Sequence, residues 1–286
     1  MNNINMTDKT IDITDLPPSP KAEIAAFIKE DTLEIVNSSL SAVKVRDTFY
    51  TRYVKRWIDI VIALIALCIS LPINFVLAVI TFFDVGRPII FKQTRVGKNE
   101  EKFYIYKFRN MTNETDANGE LLPPQQRVTK WGKIARKTSL DELLNFWSVL
   151  TGHMSIIGPR PLLDYYIDRL NIRHKAIYKV RSGLECPTLK HVDHALSWQE
   201  RLDNYVWYVE NCSFTLDIKL MFRVVEMAID KKETAARGKA THGGFMGYDE
   251  IGNVIYTKNV PEKYVRTFLE QHQYSDINEA IVVRNL

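Results

Sequence analysis

With 286 residues, the chain is long enough for one or two domains around a sizeable core. Hydrophobic residues make up 46% and charged residues 25%, an average that looks soluble only because the apolar residues are concentrated in one segment. A net charge of +4 suits anionic partners (lipid head groups, nucleotides or nucleic acid) without choosing among them, and the spacing of Cys68, Cys186 and Cys212 excludes a disulfide framework and the usual zinc patterns.

Residues 1–45 form an N-terminal extension. Its first twenty residues are polar and acidic, without the basic start and apolar core of a signal peptide. The cluster Leu16-Pro17-Pro18-Ser19-Pro20 breaks regular structure, and 22–36 can form a short helix.

Residues 46–86 hold the apolar segment. From Trp57 to Phe83 the only polar side chains are Asp59, Ser70, Asn74 and Thr81. As a helix this run exceeds the ~30 Å hydrocarbon layer of a bilayer. Pro72 lies near its middle, where a proline removes one hydrogen bond and crowds the preceding turn. Ser70 and Asn74 stand beside it to satisfy freed backbone groups. Cations flank both ends: Arg52, Lys55 and Arg56 before, Arg87, Lys92 and Arg95 after. Positive charge on both sides fits a helix that enters, breaks at Pro72 and returns to the same face; a plain kinked transmembrane helix is the alternative. Asp59 stands three residues after Arg56, on the same face, as an ion-pair partner or a residue at the water interface.

Residues 87–230 read as a compact soluble domain. Two short strands, 88–91 and 103–108, flank a turn at 96–99, and a polar loop covers 112–126. Asn110 and Asn113 match the glycosylation pattern by chance. Five cations lie between Arg127 and Lys137. A helix is expected over 140–150, with Ser139 and Glu142 closing a capping box. On that reading Asp141 and Glu142 serve the helix dipole only. The turn Gly158-Pro159-Arg160-Pro161 argues for more, because it presents a guanidinium suited to phosphate. Adjacent carboxylates facing separate cations make a site for phosphoryl transfer, one attacking phosphorus and the other holding a divalent metal. His191, Asp193 and His194 read as a polar surface loop, and 165–180 as an interfacial or surface helix. Residues 231–286 form a C-terminal extension whose role the sequence does not disclose.

Five blocks occur in order: Lys55-Arg56-Trp57-Ile58-Asp59, Phe91 to Gly97, Tyr106 to Met111, Thr138 to Leu143 and Met154 to Pro161. Together they resemble the bacterial sugar transferase family, the monotopic phosphoglycosyl transferases. The resemblance implies an α+β, mostly helical fold: a re-entrant membrane helix-break-helix, with the break at Ser70 and Pro72, and a cytosolic domain of amphipathic interfacial helices and a small β-hairpin. Arg56 and Asp59 would anchor the membrane helix. It implies transfer of a sugar-1-phosphate from a UDP-sugar to polyprenyl (undecaprenyl) phosphate, with release of UMP. Asp141 would carry the phosphosugar, Glu142 would complete the dyad, both would hold Mg2+, and Lys107 would serve the active site. Arg136 and Arg160 would bind phosphate. It places the protein at the bacterial inner membrane among its lipids, active domain facing the cytoplasm, without nucleic acid, and admits a homo-oligomer. The family's usual Pro-Gly-Ile-Thr-Gly stretch is replaced here by Ser182-Gly183-Leu184-Glu185-Cys186-Pro187, and the residue before Pro72 is Leu71 where serine is common. A membrane-anchored glycosyl transferase releasing UDP and a non-catalytic scaffold are the rival readings.

Overall fold

The computed structural model describes residues 9–115, 119, 121–122, 124–230, 232–233, 235 and 243–283. In chain order, strand β1 (Thr10–Ile11) and helix α1 (Pro18–Ser39) precede a π-helical turn and α2 (Lys55–Val85). Strands β2 (Ile90–Val96) and β3 (Lys102–Phe108) follow, then helices α3 (Pro124–Arg127), α4 (Lys130–Thr138) and α5 (Phe146–Leu150). Strands β4 (Met154–Ile157) and β5 (Ser182–Glu185) bracket two 3-10 segments, after which come α6 (Trp198–Asn211) and α7 (Phe214–Ile229). Strands β6 (Phe245–Tyr248), β7 (Val254–Tyr256) and β8 (Val260–Pro261) and helices α8 (Glu262–His272) and α9 (Ile277–Val283) complete the described chain. The described residues are mostly helical, with four two-stranded sheets.

Helix α2 is apolar almost throughout, and the span Tyr50–Val85 is long and apolar enough to cross a membrane. Ile69, Leu71 and Phe75 in its middle are exposed. Its two ends attach to the same body. At the start, Arg56 donates to the carbonyls of Val149 (2.6 Å) and Leu150 (2.8 Å), and Asp59 accepts from Ser155 Oγ and Ile156 N (both 3.0 Å). At the end, Asp84 accepts from Thr129 Oγ1 (2.6 Å) and the Val85 carbonyl from Arg109 Nη2 (3.0 Å). The expected Arg56–Asp59 pair is therefore not formed. Arg56 instead takes carbonyls at the end of α5, and Asp59, 3% exposed, sits among protein donors and away from water. Helical structure continues through Pro72, so the expected break does not interrupt the secondary structure. Ser70 Oγ donates to the Leu67 carbonyl (3.3 Å) and accepts from Asn74 Nδ2 (3.2 Å), while Asn74 Oδ1 is buried without a hydrogen-bond partner among the described residues.

Strands β2 and β3 pair antiparallel in unbroken register from Ile90↔Phe108 to Val96↔Lys102. The first strand begins later and runs further than the expected 88–91. Phe103 and Ile105 turn inward onto Ala63, Val149 and Met154, the small core that joins the hairpin to α2. The helix expected over 165–180 is replaced by 3-10 segments Asp164–Arg169 and His174–Lys179, with Tyr166, Ile177 and Tyr178 buried in the main core. Helix α7 is amphipathic: Leu216, Leu220 and Met227 are buried while Phe222, Val225 and Ile229 are exposed.

The two ends of the chain fold onto each other. β1 pairs with β8, and Ile24, Ala25 and Ile28 of α1 share a core with Met246, Ile255, Val265 and Phe268. This unit leans on the larger core through Val36, Phe245 and Tyr248.

Candidate active site

Three elements converge on Asp141 and Glu142. On β3, side chains alternate in direction, so Lys107 shares a face with Phe103 and Ile105. Those two fill the core, and Lys107, the last of the row, reaches Glu142 Oε1 at 2.6 Å. Beyond the strand, Asn110 is buried. Its amide nitrogen donates to Asp141 Oδ2 (2.8 Å) and its oxygen accepts from Arg136 Nε and Nη2 (3.1 and 2.8 Å). Arg136 sits on α4, whose Thr129 cap accepts from Gly132 N (2.8 Å). Gly132 is packed so closely that a Cβ there would lie 2.1 Å from the Asn110 carbonyl oxygen.

The expected capping box does not form, nor does a single α-helix over 140–150. Ser139 adopts left-handed geometry (φ 55°, ψ 20°), closes α4 and turns the chain into a 3-10 segment, Leu140–Asn145, that runs into α5. No side-chain cap is made by Ser139, so the Glu142 carboxylate is free for other partners. It takes two cations: Lys107 on Oε1, and Arg160 on Oε2 at 2.8 Å.

Arg160 comes from the turn after β4. Strands β4 and β5 run parallel with Ile157 opposite Glu185. Gly158 N donates to the Glu185 carbonyl (3.1 Å) and Gly183 N to the Pro159 carbonyl (2.9 Å). A Cβ on Gly183 would lie 2.1 Å from Gly158 N, so this backbone contact needs glycine. Arg160 Nη1 then meets Glu185 Oε2 at 3.0 Å. Between these groups lies a cavity of about 50 Å3 lined by Arg95, Lys107, Glu142, Asn145, Arg160 and Leu184, among others.

The two carboxylates are driven apart in acidity. Burial, then the neighbouring Glu142 charge, pushes Asp141 above the ordinary aspartate range. Burial acts against Glu142 ionisation too, but the charges of Arg160 and Lys107 outweigh it and hold its pKa down. One carboxylate is thus favoured as an anion by two cations, and its neighbour's charge is opposed by burial and by that anion.

Asp141 and Arg136 meet through Asn110 in one hydrogen-bonded set, and Glu142, Lys107 and Arg160 form a second that lines the cavity; the two sets adjoin at the Asp141–Glu142 peptide. Arg56, Asp59, Ser70 and Pro72 lie on α2, outside both. Sequence reading passed over Asn110, which it set aside as a chance glycosylation match, and Arg95, which lines the cavity and donates to the Pro161 carbonyl at 3.1 Å. Asn110 follows Lys107 on a strand end, and that was the available signal. His191 and His194 turn to different partners: His191 to Asp230 and Glu233 (3.6 and 3.3 Å), His194 to Asp193 and Glu200. Glu233 already spends both oxygens on Arg223 at 2.7 Å.

Residues 50–231 match the family model described as bacterial sugar transferase. The chain is 36% identical over 200 residues to an uncharacterized sugar transferase, EpsL, of Bacillus subtilis, covering 70% of this chain and 98% of that one. It is 32% identical to a UDP-N-acetylgalactosamine-undecaprenyl-phosphate N-acetylgalactosaminephosphotransferase of Aeromonas hydrophila, over 60% of this chain and 43% of that one. A UDP-glucose:undecaprenyl-phosphate glucose-1-phosphate transferase of Klebsiella pneumoniae is 31% identical over 60% of this chain and 39% of its own. The chain therefore spans less than half the length of these last two.

Proposed function

The chain belongs to the bacterial sugar transferase family, and from that premise we propose that it moves a sugar-1-phosphate from a UDP-sugar to undecaprenyl phosphate at the cytoplasmic face of the inner membrane. The observation that carries this reading is the buried, destabilised Asp141 carboxylate beside a Glu142 already paired with Lys107 and Arg160. Relatives named for this reaction with two different sugars support the reaction class and leave the sugar open.

In the proposed reaction an Asp141 oxygen attacks the β-phosphorus of the donor. A carboxylate–phosphorus bond forms and the bond from that phosphorus to the bridging oxygen breaks, the bridging oxygen leaving with UMP. A phosphate oxygen of the polyprenyl acceptor then attacks the same phosphorus. Asp141 is regenerated and the lipid leaves as a diphosphate sugar. Arg160 and Lys107 exchange Glu142 for the donor's phosphates, so the cations are in place before charge moves to the leaving group. Asn110 orients Asp141 and ties it to Arg136. Two adjacent carboxylates with hard oxygen donors suit Mg2+, which would rest on Asp141 and Glu142 and neutralise diphosphate charge.

Exposed apolar residues in the middle of α2, with both ends fastened to one body, support the re-entrant reading. A straight helix of 31 residues would hold its ends about 45 Å apart. The exposed Phe222, Val225 and Ile229 of α7 suit the lipid interface.

The test is a nucleotide assay over a panel of UDP-sugars with Mg2+ and undecaprenyl phosphate. UMP is the expected product with at least one donor. UDP as the product would replace this reading by a glycosyl transfer.

A further inference from the structure

Glu185 ends β5, whose Gly183 and Leu184 line the cavity beside Arg160. Its carboxylate is held at both oxygens. Oε1 accepts from the backbone N–H of Cys186 at 3.1 Å, and Oε2 accepts from Arg160 Nη1 at 3.0 Å. The backbone beneath is equally fixed. Arg160 and Glu185 hang from adjacent parallel strands whose closest approach is glycine against glycine, and Asn204 donates to the Cys186 carbonyl at 3.0 Å.

Arg160 therefore has two carboxylates, one on each terminal nitrogen: Glu185 on Nη1 and Glu142 on Nη2. The two are not equivalent. Glu142 also holds Lys107, and in the reaction proposed above it exchanges both cations for the donor's phosphates. Glu185 has no second cation and a backbone tether. Its charge is the first among the influences that raise the Arg160 pKa above the ordinary arginine value.

On the functional reading given above, we propose that Glu185 is a positioning residue: it keeps the Arg160 guanidinium aimed into the donor-phosphate site after Glu142 has let go. One terminal nitrogen stays on Glu185 while the other passes from carboxylate to phosphate. Without Glu185 the arginine is fastened only in the empty site, and follows Glu142 or turns to water as the diphosphate arrives.

The test is UDP binding, with Mg2+, to the full chain in detergent, measured by calorimetry for the wild type, Glu185→Ala, Glu185→Gln, Arg160→Ala and the Arg160→Ala/Glu185→Ala pair. Glutamine can still accept from Arg160 through its amide oxygen but loses the second acceptor that takes the Cys186 N–H. The expected pattern is a dissociation constant raised about tenfold by Glu185→Ala and by clearly less, about threefold, in Glu185→Gln. No further loss is expected from Glu185→Ala once Arg160 is alanine. Unchanged or tighter binding by Glu185→Ala overturns the proposal, because Glu185 would then be neutral or a mere repelling charge. Equal weakening by alanine and glutamine overturns it as well. So does a loss that persists in the Arg160→Ala background, which is what general unfolding would give. A wild type that binds no UDP removes the reading of the site itself, and this inference with it.

Discussion

At the residue scale the informative contrast is between Asp141 and Glu142, neighbours with opposite fates. Glu142 is stabilised as an anion by Lys107 and Arg160, whereas Asp141 is buried at 5% exposure, with the amide of Asn110 on Oδ2. A carboxyl group whose pKa is raised in the folded protein binds a proton more tightly there than when unfolded. Its stabilising contribution is full below the ordinary aspartate value of 3.8 and is lost as pH rises through the folded value. At pH 7 the ionised Asp141 is therefore a burden on stability. Asp141→Asn keeps an oxygen to accept from Asn110 and removes the charge. It is expected to raise the melting temperature at pH 7 by a few degrees, with the gain fading as pH falls through the raised folded value and gone below 3.8, while turnover disappears. A variant that melts lower than wild type at pH 7 would show that the carboxylate is not strained in place. This balance was not legible in the sequence. The pair Asp141-Glu142 was, but a capping box explained it equally well, and only the left-handed Ser139 separates the two accounts. A serine in that conformation carries no sequence mark.

At the element scale the hairpin and the long apolar helix were legible because their patterns are strong: alternation with aromatic and β-branched residues in one, an apolar run in the other. The 3-10 segments were not. Residues 164–179 mix aromatics and cations as an interfacial helix would, yet Tyr166, Ile177 and Tyr178 are claimed by the core, and tertiary packing overrides the local preference. The membrane helix carries its own test. With Cys68→Ala as background and Cys186 and Cys212 buried, one exposed cysteine at a time is placed by Tyr53→Cys and Arg87→Cys, both exposed positions flanking the apolar run. A membrane-impermeant maleimide is expected to label both in inverted vesicles and neither in intact spheroplasts. Labelling of one position from each side would mean that the helix spans the bilayer.

At the scale of the whole molecule, segments far apart in sequence are made neighbours. Residues near 13–28 and 246–268 build a second core and lean on the first through Tyr248, whose hydroxyl lies 2.6 Å from His174 Nδ1. Nothing in either segment alone announces the other, since a two-residue strand pairing and a few apolar side chains per segment lie below what sequence pattern can register. The site needs the same long-range assembly: Lys107 from the hairpin, Arg136 from α4, Arg160 and Glu185 from a parallel strand pair. The order of the motifs in the chain disclosed the membership of that site, and the fold supplies its geometry. All of it serves one chemical claim, that Asp141 carries the sugar phosphate between two substrates. The intact mass of the protein, taken after mixing with a UDP-sugar that supports UMP release and Mg2+ but no lipid acceptor, measures that claim directly. The account predicts a mass increase equal to one phosphosugar, absent in Asp141→Asn and discharged on adding undecaprenyl phosphate. UMP release without any mass increase, or the same increase in Asp141→Asn, would contradict it.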